Sequence, residues 1–141
     1  MPNQLLRLSV LTPEQQVYDS QVASVSLPSL DGELTILPGH EPLVALLASG
    51  EVTVREGAAN RQLAVHGGVV TVSQREVSIL TDAAETEESI DEQRAAEALR
   101  RAQQAKLDSA DRQAQADAAA AIERALVRLR LAERRRLRHR A

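Results

Sequence analysis

The fold class predicted for this chain is a β-sandwich followed by an α-helical hairpin, and three observations predict it. Up to about residue 84, short runs of alternating apolar and polar residues are separated at regular spacing by turn residues, the pattern of an antiparallel sandwich or barrel. After Ala84 there is no further Gly or Pro, and Ala, Glu, Arg and Gln, all strong helix formers, take over. Between the two regimes, Ser89–Ile90–Asp91–Glu92 has the S-x-x-E spacing of a capping box, with Ser89 as the expected cap, so a helix begins there. The organisation expected is a sandwich domain over 1–84 and a helix–turn–helix arm over 85–141.

Leu6, Leu8 and Val10 alternate with Arg7 and Ser9, a period of two that ends at Thr12–Pro13. The same alternation predicts strands at Val22–Leu27, Glu33–Leu37, Gly50–Arg55, Gln62–His66, Val69–Ser73 and Val77–Thr81. Pro28, Asp31–Gly32, Pro38–Gly39, Glu56–Gly57, Gly67–Gly68 and Gln74–Glu76 separate them as turns. The first helix, Ile90 to Leu107, carries Ala95, Ala98, Leu99, Ala102 and Ala105 on one stripe. The second, from about Arg112, carries Ala118, Ile122, Ala125, Leu129 and Ala132, and Asp108–Asp111 is the turn of an antiparallel pair. Alanine stripes bury little area, so the hairpin should close weakly while each helix keeps its own propensity.

Composition restricts the function. With no Phe or Trp and only Tyr18, the core must be built from Val, Leu, Ile and Ala, and base stacking on aromatic platforms is excluded as a main activity. The absence of Cys removes disulfides, thiolate metal sites and cysteine nucleophiles. The longest apolar run, Leu43–Ala48, is far short of the roughly 20 residues that span a bilayer, and the N-terminal stretch lacks a secretory signal pattern, which reads as cytoplasmic.

No phosphate loop, nucleophile elbow or zinc-binding helix motif occurs, and His40, His66 and His139 are scattered, so neither a catalytic site nor a metal site is expected. Charge is uneven along the chain. Acids dominate up to Ala83, whereas from Ile122 onward eight arginines, Arg124 to Arg140, face only Glu123 and Glu133. A basic C-terminus calls for an acidic partner, and one function the residues allow is a nucleic-acid-binding module using this Arg-rich helix.

A longer pattern points elsewhere. Gly32-Glu33-Leu34-Thr35-Ile36-Leu37-Pro38-Gly39-His40-Glu41-Pro42-Leu43 resembles the GE-L-x-I-L-PGH-x-PL signature of the epsilon-subunit family of F-type ATP synthases, counterpart of the mitochondrial delta subunit. Leu11–Gln15, Ala64–Val72 and Val77–Ala84 resemble the same family's first strand end, paired-glycine strand and last strand. The resemblance implies a sandwich of about ten short strands, a C-terminal helical hairpin and a non-catalytic place in the central rotor stalk. That stalk couples proton flow to ATP synthesis, so no nucleic acid is expected as a partner. The implied partners are the gamma subunit, the c-ring of the membrane sector and, when the arm extends and inhibits ATP hydrolysis, the catalytic beta subunits. The implied location is peripheral, on the cytoplasmic side of the cell membrane. The resemblance also assigns Asp31, Glu33, His40 and Glu41 to the c-ring contact.

Ile90-Asp91-Glu92-Gln93-Arg94-Ala95 resembles the I/L-D-x-x-R-A motif with which several family members bind ATP. With the helical turn centred near Ala110, Arg94 lies opposite Leu126 and is flanked by Arg124 and Arg128, which are one helical turn apart. Ile90, Asp91, Arg94, Ala95, Arg124 and Arg128 are therefore the expected site of a regulatory ATP, the only cofactor expected, with the guanidiniums toward phosphates and Asp91 toward base or ribose. The simpler role for Asp91 is a helix cap.

Overall fold

The computed structural model describes residues 4–140. It divides into two compact units, residues 1–86 and 87–141.

The first unit is one hydrogen-bonded sheet of eight strands, fewer than the ten or so implied by the resemblance. The strands are β1 (Leu6–Leu11), β2 (Gln16–Val22), β3 (Ser24–Ser29), β4 (Gly32–Ile36), β5 (Leu43–Glu56), β6 (Ala59–Val72), β7 (Glu76–Leu80) and β8 (Ala84–Thr86). Their order is β2-β1-β7-β6-β5-β3-β4, with β8 also on β6. One pair departs from the antiparallel expectation, because β1 and β7 run parallel, Leu8 opposite Val77.

The long β5–β6 hairpin makes two layers from this one sheet. Leu43–Leu47 of β5 pairs with Gly68–Val72 of β6, whose other edge takes β7, while Gly50–Glu56 pairs with Ala59–Val65, whose other edge takes β8. The inward residues of both layers are mostly apolar. Leu6, Leu8, Val10, Val70, Val77 and Ile79 meet Val25, Leu27, Ile36, Val52, Val54 and Leu63 in a single buried cluster. Each such side chain contributes about 1.5–3 kcal/mol relative to exposure, so the sandwich is stabilised without aromatic rings.

Where the sequence reads two strands, the structure has one. Gly67–Gly68 is not a turn but the point inside β6 where the strand changes layer, with φ of 77° and 128°. Leu43–Ala48, read as an apolar run without assignment, is the first half of β5. Two strands went unrecognised, β2 because its polar residues mask the alternation, and β8 because three residues carry no period.

In the second unit a 3-10 turn, Glu87–Ser89, precedes α1 (Glu92–Asp108) and α2 (Arg112–Arg140), which pack as a hairpin. Asp91, not Ser89, caps α1: its Oδ1 accepts the Arg94 N–H at 3.1 Å. Ser89 is taken up by the 3-10 turn, whose Glu87 carbonyl accepts the Ile90 N–H, and this sets the helix start two residues later than a serine cap would. Asp111 caps α2 in the same way, accepting the Ala114 N–H at 2.8 Å. The alanine stripes form the seam only in part: Ala95, Ala102, Ala118, Ala125 and Ala132 are buried, whereas Ala105 is exposed and Val127 and Leu131 are buried in addition. Among the described residues, no helix is long and apolar enough to cross a membrane.

Candidate functional site

The four residues expected at one contact occupy the two ends of β4. Asp31 sits in the β3–β4 turn, where Ser29 Oγ accepts the Asp31 N–H at 3.2 Å and donates to the Gly32 carbonyl at 2.6 Å. Glu33 is the next residue but one, opposite Pro28 of β3 and exposed. His40 and Glu41 follow the other end, in the loop to β5. There the Gly39 N–H donates to the Gln74 carbonyl at 2.8 Å and His40 Nδ1 donates to the Glu41 carbonyl at 2.7 Å. β4 runs between the Asp31 turn and the His40–Glu41 loop, with Glu33 in its second position. His66, by contrast, is buried, with its N–H shared between Thr81 Oγ1 and the Ala83 carbonyl.

Near the Asp31 turn the outer face of the sheet carries a feature the sequence reading missed. Leu46, Val69, Leu80 and Leu11 stand opposite one another across β5, β6, β7 and β1. Leu46 is 57% and Leu80 53% exposed, Val44 on the same face is 72% exposed, and Leu30 donates its N–H to the Leu46 carbonyl. Gly68, Val69, Leu80 and Leu11 also line a groove that runs on to Pro13 and Asp82. An apolar row this continuous is unusual on a free surface. The outward parity of these four residues was legible in each strand separately, but the row exists only once the register brings them level.

In the helical unit, Ala102 and Ala118, and likewise Ala95 and Ala125, are equally far from residue 110, and all four are buried. They are therefore facing pairs of an antiparallel seam. By the helical period, Arg94, just before Ala95, and Arg124 and Arg128, one before and three after Ala125, then flank the seam on the same edge. Arg94 is exposed and its Nε lies 3.8 Å from Asp91 Oδ2, Arg124 is exposed, and Arg128 is half-buried. This donor set suits phosphate oxygens in chemistry, and Asp91 keeps acceptor capacity beyond its cap. Ile90 and Ala95 are buried beside these side chains in sequence.

Further along α2 the basic run turns on its own unit. Arg135 donates to the Glu87 and Glu88 carbonyls at 2.8 and 3.2 Å, Arg136 to Glu92 Oε1 at 2.9 Å, and Arg138 to Glu87 Oε1. That last hydrogen bond, to a carboxylate in a buried residue, holds the Arg138 guanidinium above its usual range. The side chains of His139 and Arg140 lie outside the described residues.

The sandwich and its signature loops match known proteins over most of the chain. Residues 5–87 match the family model for the β-sandwich domain of the ATP synthase delta/epsilon chain. An ATP synthase epsilon chain from Solibacter usitatus is 43% identical over 129 residues, covering 92% of this chain and 96% of that one. Another, from Symbiobacterium thermophilum, is 44% identical over 131 residues, covering 90% and 92%. Among solved structures, a chain of the Euglena gracilis mitochondrial ATP synthase OSCP/F1/c-ring assembly superposes with a TM-score of 0.74 at 28% identity, covering 87% of this chain and 78% of that one. Identity of this order, carried through both the sandwich and the helical hairpin rather than through one motif, establishes that the chain belongs to the ATP synthase delta/epsilon chain family.

Proposed function

We propose that this chain is the epsilon subunit of a proton-translocating F1Fo ATP synthase, a non-catalytic part of the central rotor stalk that couples proton flow to ATP synthesis. It sits peripherally at the cytoplasmic side of the cell membrane, held there through the complex. The observation that carries the reading, on a chain of this family, is the apolar row Leu46–Val69–Leu80–Leu11, exposed at Leu46 and Leu80 and half-buried at Val69 and Leu11. An apolar strip across four strands is stabilised when a partner covers it, and the gamma subunit is the partner assigned to it here.

The c-ring contact is assigned to Asp31 and Glu33, on the same end of the sandwich as the Leu46 carbonyl that the Leu30 N–H meets. His40 and Glu41, in the loop that follows β4, are assigned to the same contact. The arm regulates: Ile90, Asp91, Arg94, Ala95, Arg124 and Arg128 hold a regulatory ATP at the flank of the closed hairpin, and the extended arm inhibits hydrolysis by lodging its basic helix against acidic loops of the beta subunits. When bound, the nucleotide would supply negative charge between guanidiniums that otherwise repel one another.

Co-purification of the full chain with gamma tests the reading. Wild type should bind, and Leu46→Glu/Leu80→Glu should abolish binding while leaving the fold intact. A chain that ignores gamma and instead binds DNA with steep salt dependence would belong to the nucleic-acid class.

A further inference from the structure

We propose that the end of α2 is an ionic latch, which holds the hairpin shut by tying Arg135, Arg136 and Arg138 to the acidic segment Glu87–Glu92 that leads into α1. Helix α2 has 29 residues and α1 has 17, so α2 overruns its partner by about 18 Å at 1.5 Å per residue. The overrun is not an idle extension. It brings three guanidiniums level with the 3-10 turn and the first turn of α1, where Glu87, Glu88 and Glu92 meet them.

The three contacts differ in kind. Arg136–Glu92 is an ordinary exposed pair, 52% and 37% exposed at the two side chains, and is sensitive to salt. Arg135 reaches two backbone carbonyls at the turn, fixing the segment's path rather than its charge. Arg138 engages Glu87, whose side chain is 3% exposed, so opening the hairpin strips a buried carboxylate of a cationic partner. Closure is therefore concentrated at the open end of the hairpin, where leverage is greatest, while the alanine seam between adds little per contact.

The latch also sets a competition. The Arg136 and Arg138 guanidiniums that close the hairpin are ones an acidic external surface would draw on, so an acidic partner must displace Glu92 and Glu87 before it can hold the extended arm. This consequence rests on the proposed regulatory reading. The latch itself does not, because it is internal to the helical unit and can be measured without any partner.

The test uses the full chain, whose lack of native cysteine allows spin labels at Gln93→Cys and Glu133→Cys. Double electron–electron resonance should give one short distance for wild type. Arg135→Gln/Arg136→Gln/Arg138→Gln should raise the long-distance population about tenfold with helical ellipticity retained. Glu92→Arg should open the hairpin, and Glu92→Arg/Arg136→Glu should close it again. An unchanged distance distribution in the folded triple variant, or a charge swap that fails to reclose, would overturn the latch. If the triple variant loses ellipticity, the swap pair decides alone. A failure here leaves gamma binding untouched, so it is distinguishable from a failure of the proposed function.

Discussion

Gly68 of β6 packs so closely on Leu80 of β7 that a Cβ built on it would lie 2.0 Å from the Leu80 carbonyl oxygen and 2.8 Å from the Thr81 Cα. Its φ of 128° is also one that a side chain resists. Both facts arise where β6 passes from one layer to the other, and backbone cannot give way as a flexible side chain could. Gly68→Ala should therefore cost about 3 kcal/mol, combining strain with overpacking. Gly32, with φ of 123° and nothing within 4 Å of its added Cβ, supplies the control. Gly32→Ala should cost about 1 kcal/mol. Urea denaturation of both variants measures the difference, and equal midpoints would contradict the crowding argument.

Tyr18 gives the sandwich an alkaline limit. Its hydroxyl donates to Glu56, and burial, followed by that hydrogen bond and the carboxylate's charge, pushes its pKa up to about 12 from an ordinary value near 10. The unfolded chain then loses this proton first as pH rises. The contribution is fully present below about pH 10 and is lost as pH rises through about 12. Tyr18→Phe should lower stability at pH 7 by about 1 kcal/mol and flatten the fall between pH 10 and 12. Thermal melts over that range check both, and an unchanged alkaline slope in the variant would assign it to other groups.

At acid pH, Arg7 acts in the opposite direction through Asp19. The hydrogen bond from Arg7 holds the Asp19 carboxyl below its usual range, so the pair's contribution is present above the ordinary carboxylate pKa and is lost as pH falls through the lowered one. Both side chains are substantially exposed, so Asp19→Asn should shift the melting temperature by little at pH 7 and by less still once acid has protonated the carboxyl. A large loss at pH 7 would mean that Asp19 does more than pair with Arg7.

Asp91 has two separable roles. Asp91→Ala removes the cap and should cost about 1 kcal/mol, whereas Asp91→Asn keeps an acceptor for the Arg94 N–H and should cost little. If the proposed nucleotide site is right, both substitutions should weaken ATP binding in calorimetry. Binding that follows only the cap, weakened in Asp91→Ala and normal in Asp91→Asn, would leave the residue a structural role alone.

Truncation should be made after Thr86, because Ala84–Thr86 is a strand paired with Leu63–Val65. The fragment 1–86 should unfold cooperatively, since its core cluster lies before that point. Removal of three further residues should lower its midpoint by exposing the β8 edge of β6. A non-cooperative melt of the 1–86 fragment would show that the arm is required for folding.

Local sequence was enough for the alternating inward faces, most turns and the two helices, because these depend on residues within a few positions of one another, whereas the cap of α1, expected at Ser89, is Asp91 because the 3-10 turn takes up the serine. Local sequence also carried the family signature, which is contiguous. Tertiary structure alone decided that Gly67–Gly68 lies within a continuing strand, because the reason, the Leu80 carbonyl, is brought alongside by a separate strand. It decided that Asp31 and His40 lie at opposite ends of β4, although they are near in sequence. It alone set Leu11, Leu46, Val69 and Leu80 in one row, and returned Arg138 to Glu87 across the length of the hairpin. Periodicity tells which way a side chain points, whereas strand register and helix length determine which distant side chain it meets.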